Sequence, residues 1–181
     1  MKYYAKMALT LFLITALVAG VLAGVNALTK DKIAVARAEK TAAAVALVLE
    51  GEATELTDVA CTGAVQAVYE GPEGYAIQVS AAGFGGEMVL MVGVNHQGQV
   101  TGISVVSHTE TAGLGAVAAE NSAKGQSFRG QFQGQTAPFA VTKDGGQVDS
   151  ISGATITSRA VTQAVNAAVE FAQYLDGEGR S

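Results

Sequence analysis

The sequence has one cysteine, two histidines, two prolines and no tryptophan in 181 residues. A lone Cys61 excludes an intrachain disulfide and any iron–sulfur or cysteine-rich zinc centre. Beside Ala60, it reads as a small core residue. His96 and His108 stand twelve residues apart in unlike surroundings, so they are no metal pair, and no metal site is expected. Only eleven side chains are aromatic, which leaves the core to Val, Leu, Ile and Ala. Basic residues are scarce in the second part. From Glu50 onward there are five (Lys124, Arg129, Lys143, Arg159 and Arg180) against fourteen Asp and Glu. So acidic a region is a poor partner for nucleic acid. Glycine is abundant, at 22 residues, but has no three-residue period, so collagen is excluded. Nor is there a dinucleotide fingerprint, since Gly83-Phe84-Gly85-Gly86 is too short for one.

What is present begins with a long apolar run. Met7 to Thr29 carries no charge over twenty-three residues, enough for one membrane-spanning helix. Residues 1–29 are therefore read as a single-pass anchor in contact with lipid. Ala16, Gly20 and Gly24 form a small-residue stripe on which another helix could pack in lipid. A cleavable signal peptide is the competing identity, with Val25-Asn26-Ala27 as its cleavage tripeptide. The run exceeds a signal's apolar core, which favours retention. Lys30, Lys32, Arg37 and Lys40 outnumber Lys2 and Lys6, so charge counting leans towards a cytoplasmic C-terminal part.

Residues 30–53 read as a helical stalk, rich in Ala and ended at Gly51. From 54 to 181 the pattern is that of a small α+β domain. Ala64–Glu70, Tyr75–Ala81, Glu87–Val94 and Gln99–Ser107 read as strands, with period-2 alternation clearest from Tyr75 to Ala81. Asn95-His96-Gln97-Gly98 reads as a hairpin turn in which Gly98 takes a positive φ, giving His96 an exposed turn position and no catalytic role. A short helix is expected over Ala116–Ala123, then short strands at Phe139–Val141 and Gln147–Ile151. An amphipathic helix from Ser158 to Leu175 closes the chain, burying Val161, Val165, Ala168, Ala172 and Leu175. The whole is one transmembrane helix and stalk followed by an antiparallel sheet with flanking helices.

Ser152-Gly153-Ala154-Thr155 lies between a short strand and that last helix. Gly153 and Ala154 leave the Thr155 hydroxyl open to a bulky group, and a helix start favours anions through its free N–H groups and dipole. Read alone, the same four residues also suit an ordinary helix cap.

With Asp149 in place, the run Asp149-Ser150-Ile151-Ser152-Gly153-Ala154-Thr155 resembles the flavinylation sequence of FMN-binding-domain proteins. Upstream, His108-Thr109-Glu110-Thr111-Ala112-Gly113-Leu114-Gly115 resembles the His-x-Glu-Thr-Pro-Gly-Leu-Gly loop of the same family, with Ala112 replacing the usual Pro. The chain is similar to the G subunit of Rnf-type ion-translocating electron-transport complexes, and more distantly to the C subunit of the sodium-pumping NADH:quinone oxidoreductase. The resemblance implies FMN joined to Thr155 by a phosphodiester bond, attached by a flavin transferase that uses FAD and Mg²⁺ and recognises Asp149. It implies flavin contacts from His108, Glu110, Thr111, Gly113, Leu114, Gly115, Ser152, Gly153, Ala154 and Thr157. It further implies an electron-relay subunit, not catalytic alone, in a multi-subunit complex that passes electrons between ferredoxin and NAD and moves Na⁺ or H⁺. The domain would face outward from the inner membrane, against the charge count. A free-standing membrane-anchored flavin reductase or sensor is the alternative.

Overall fold

The computed structural model of the chain describes residues 2–177; Met1 and residues 178–181, Arg180 among them, lie outside the described residues. The residues up to Lys40 and those from Thr41 onward form two compact units.

Helix α1 is continuous over Lys2–Val48. It is long and apolar enough to cross a membrane. At 1.5 Å per residue its charge-free run extends about 35 Å, slightly more than a hydrocarbon core. Leu11, Phe12 and Leu17 are largely exposed along it. The threonines within the run are satisfied locally, as lipid requires: Thr10, Thr15 and Thr29 donate to the carbonyls of Lys6, Leu11 and Val25 at 2.8, 3.0 and 2.8 Å.

The second unit is built on a five-stranded antiparallel sheet in sequential order: β1 (Thr54–Glu55), β2 (Val65–Gly71), β3 (Gly74–Ala82), β4 (Glu87–Asn95) and β5 (Val100–Ser107). Alternation along the strands sends side chains to two faces. Met88, Leu90, Val92 and Val94 of β4 join Tyr75, Ile77 and Val79 of β3 on one face. That face is covered by α3 (Thr155–Gly177), through the expected stripe of Val161, Val165, Ala168, Ala172 and Leu175. On the other face Ala76 and Met91 pack against Ala44, Val45, Val48 and Leu49. The end of α1 is thus part of the domain's core. Gly93 permits this approach, because a Cβ there would overlap the Val48 carbonyl, which also accepts a hydrogen bond from the Thr101 hydroxyl.

The β4–β5 hairpin forms as expected, with Gly98 at φ +73°. The Asn95 side chain accepts from the Gln97 and Gln99 amides at 3.1 and 2.8 Å. His96 is exposed in that turn, with Nδ1 3.0 Å from Asp176 Oδ1 at the far end of α3. Cys61, expected in the core, is exposed; the connection from β1 to β2 lacks regular structure around it, so no layer covers it.

Three further elements differ from the sequence reading. The segment from Ala116 is a single 3₁₀ turn, Gly115–Ala118, and a separate helix α2 spans Ala123–Gly130. Ser122 makes the break, its side chain accepting from the Gly125 amide as a new N-cap. The two short strands after Pro138 reduce to one parallel bridge, Val141↔Val148. Helix α3 starts at Thr155 and not Ser158, since Ser158 N–H already bonds the Ala154 carbonyl at 3.0 Å.

Candidate functional site

The site forms where three connections meet at the start of α3. The first is the β3–β4 turn, Gly83 to Gly86. The second is the loop after β5, from His108 to Gly115. The third is the approach to α3 itself, through Gly153 and Ala154. Glu110 ties them together. Its side chain is buried, with Oε1 accepting from the Gly85 amide at 2.8 Å and Oε2 accepting from the Thr157 hydroxyl in a short bond. Gly83 and Gly115 flank the carboxylate so closely that a Cβ at either would overlap its oxygens. His108 shapes the same loop, its Nδ1 accepting from the Glu110 amide at 3.2 Å. Thr109 adds a hydroxyl bond to the Gly85 carbonyl at 3.0 Å.

Between these connections lies a cavity of about 380 Å³. Its lining includes Glu110, Thr111, Leu114, Gly115, Gly153, Ala154, Thr155 and Thr157. These are eight of the residues singled out in the sequence, now brought together from two stretches separated by nearly forty residues. Three others line the same space without having been anticipated: Phe84, Lys143 and Ile156. Phe84, Leu114 and Ile156 are 70, 44 and 50 % exposed, so apolar surface faces the opening. Phe84 carried a signal in retrospect, because an aromatic ring among glycines has no local neighbour to pack on. Lys143 carried a weaker one, as one of few cations in an acidic region.

Lys143 marks the polar end. Its Nζ donates to Thr155 Oγ1 at 3.0 Å. Thr155 is the first residue of α3, where backbone N–H groups lack intrahelical acceptors and the helix dipole is positive. The adjoining Asp144 receives Arg159 Nε and Nη2 at 2.7 and 2.6 Å. The Arg159 hydrogen bonds, with added attraction from the Arg159 and Lys143 charges, hold the Asp144 carboxyl below its ordinary value. A carboxylate whose folded pKa is depressed contributes stability above its unfolded value and loses it as pH falls through the folded value. The 3₁₀ turn Thr142–Asp144 should therefore loosen from α3 only below about pH 3.9. An NMR titration of Asp144 should give a midpoint under that value, rising as salt screens the exposed pair. A midpoint at or above it would show that the pair does not form in solution.

The remaining predicted residues stand elsewhere. Gly113 takes φ +74° with open space beside it. Asp149 and Ser152 line a second cavity of about 400 Å³ with Phe128, Gln131, Ser150 and Ile151. There Ser150 Oγ is buried without a hydrogen-bond partner among the described residues. Gln131 holds the Asp149 backbone from both sides, accepting from its amide at 2.7 Å and donating to its carbonyl at 3.1 Å.

Residues 83–170 match the FMN-binding domain, and residues 2–48 match the RnfG N-terminal region. The chain carries an FMN-binding domain. It is similar to the G subunit of the proton-translocating ferredoxin:NAD(+) oxidoreductase complex of Clostridium ljungdahlii, 43 % identical over 100 residues, covering 53 % of this chain and 51 % of that one. It is also similar to the G subunit of the ion-translocating oxidoreductase complex of Methanosarcina acetivorans, at 39 % over 106 residues (58 % and 54 %). The protein of that same name from Pseudomonas aeruginosa is 42 % identical over 99 residues (52 % and 46 %). The aligned part of the chain spans about half the length of these relatives.

The cavity's chemistry fits the FMN of this family. A cation and free N–H groups at the start of α3 suit a phosphate. Phe84, Leu114 and Ile156 suit an aromatic ring system, while Thr111 offers it a hydroxyl. The volume lies within the roughly 300–1,000 Å³ of small-molecule sites.

Proposed function

We propose that Thr155 carries FMN through a phosphodiester bond and that the chain serves as an electron-relay subunit of a membrane-bound, ion-translocating complex. One observation carries this reading: the Thr155 hydroxyl lines an apolar-walled cavity at a helix start, with the Lys143 ammonium 3.0 Å away.

Attachment is an exchange at phosphorus. Thr155 Oγ1 bonds to the phosphorus of the flavin half of FAD, and the pyrophosphate bond to AMP breaks. AMP leaves with the electron pair, and the hydroxyl proton passes to solvent. An FAD- and Mg²⁺-dependent flavin transferase supplies the catalyst and recognises Asp149. Once bound, FMN supplies one- and two-electron transfer. The chain's own part is to hold and shelter it: Phe84, Leu114 and Ile156 keep water from the ring, and Glu110 fixes the loops through Gly85 and Thr157.

The names of the relatives, which give ferredoxin:NAD(+) oxidoreductase and proton or ion translocation, favour a relay between ferredoxin and NAD; the ion moved would be Na⁺ or H⁺. The apolar part of α1 would cross the inner membrane once with the domain outside the cytoplasm, offering Ala16, Gly20 and Gly24 to partner helices.

The test is direct. The chain co-expressed with a flavin transferase should give a fluorescent band on a denaturing gel, and Thr155→Ala should abolish it, together with the FMN increment in intact mass. Equal fluorescence from the variant would refute the attachment site. Copurification of further subunits supports the relay, whereas a lone active protein supports a free-standing reductase or sensor.

A further inference from the structure

Lys143 is the only Lys or Arg among the described residues that line the cavity at Thr155, and its position is built rather than incidental. It lies in a three-residue 3₁₀ turn whose backbone is closed by bonds from the Asp144 and Gly146 amides to the Val141 carbonyl, at 2.8 and 3.1 Å. Val141 is itself buried and bridged to Val148. From the other side, Arg159 holds Asp144 with two hydrogen bonds. Arg159 stands four residues after Thr155, one turn along the same helix. The turn is therefore fixed both to the core and to the helix that bears the acceptor hydroxyl.

The charges sum to a definite result. Arg159 and Asp144 pair with each other, leaving the Lys143 ammonium as the cation in contact with Thr155 Oγ1. Glu110, the one carboxylate lining the cavity, already accepts from Gly85 and Thr157. One positive charge matches the one negative charge of a phosphodiester, at the helix end where anions are favoured.

Resting on the flavin reading above, we infer that Lys143, held by the Asp144–Arg159 pair, is the residue that binds the flavin's phosphate and so distinguishes FMN from flavins without one. The apolar walls bind the ring alike in FMN and riboflavin. Lys143 acts on the phosphate alone.

The experiment uses the full chain in detergent, carrying Thr155→Ala so that no covalent bond forms. FMN and riboflavin are titrated by fluorescence quenching, with circular dichroism confirming the fold. Adding Lys143→Met should raise the Kd for FMN about tenfold, the scale of one charge-assisted hydrogen bond, and leave the Kd for riboflavin unchanged. Lys143→Arg should restore most of the FMN affinity, since it keeps the charge. Equal weakening of both flavins, or of neither, overturns the role of Lys143 while leaving the flavin cavity standing. If the Thr155→Ala chain binds neither flavin, the cavity's assignment fails and this inference fails with it.

Discussion

Glu110→Ala is expected to cost the domain about 3 kcal/mol and to remove most of its flavin. Two hydrogen bonds to a charged acceptor are lost, each worth roughly 1.5–3 kcal/mol, offset in part by relief from burying the charge. The loss falls in one place. The Gly85 amide and the Thr157 hydroxyl both lose their acceptor, so the β3–β4 turn and the loop after β5 keep only the Thr109–Gly85 bond between them. Phe84 and Leu114, carried on those two segments, then drift apart. Glu110→Gln keeps the shape and one acceptor, so it should cost about 1 kcal/mol and retain flavin. Urea unfolding of the detergent-solubilised chain reads the stability, and flavin fluorescence per protein reads the site. A Glu110→Ala protein with unchanged flavin content would show that the loops are held by other means.

The second large effect is Phe132→Ala, expected to cost about 3–5 kcal/mol as a buried aromatic is replaced by a void. Phe132 is fully buried, with Phe128 at 5.8 Å and Phe139 at 5.2 Å between ring centroids, both edge-on. Since domains are stable by only about 5–15 kcal/mol, this change takes a large share. It should also reach the site, because Gln131, its neighbour, splints the backbone of Asp149. The urea midpoint should fall with its slope unchanged; a shift below about 1 kcal/mol would mean that the ring cluster is loosely packed in solution.

The strands were readable because Tyr75–Ala81 alternates in sequence, while Met88–Val94 is a nearly continuous apolar run that suits a strand covered on both faces. The amphipathic face of α3 was readable for the same kind of reason. Helix α2 was not. Its eight residues include Gly125 and Gly130 and bury only Gly125 and Phe128, which leaves no stripe to detect. Gly125 is needed because a Cβ there would overlap the carbonyls of Val117 and Glu120.

The misjudged strands near Phe139 and Gln147 fail for a subtler reason. Each has strand-like residues, but beyond the one Val141–Val148 bridge the backbone of Phe139 and of Asp149 is satisfied by a side chain instead of a neighbouring strand. Asn166 accepts from the Phe139 amide at 2.7 Å and donates to its carbonyl at 2.8 Å, just as Gln131 does for Asp149. Such pairings join residues 27 and 18 apart, and no local pattern announces them. The site shows the same divide. Most residues of the two motifs were singled out in the sequence and line one cavity, whereas Phe84 and Lys143 reach it from connections that only the folded topology brings near.

The last turns of α1 have a practical bearing on any soluble version of this domain. The change in composition near residue 53 invites a cut there, but Ala44, Val45, Val48 and Leu49 are buried on the sheet. Cutting at that point would strip a lid from Ala76 and Met91 and turn a covered apolar face into a surface prone to self-association. A truncation that respects the fold begins at Thr41, so the seam between anchor and domain falls inside a helix and not at its end.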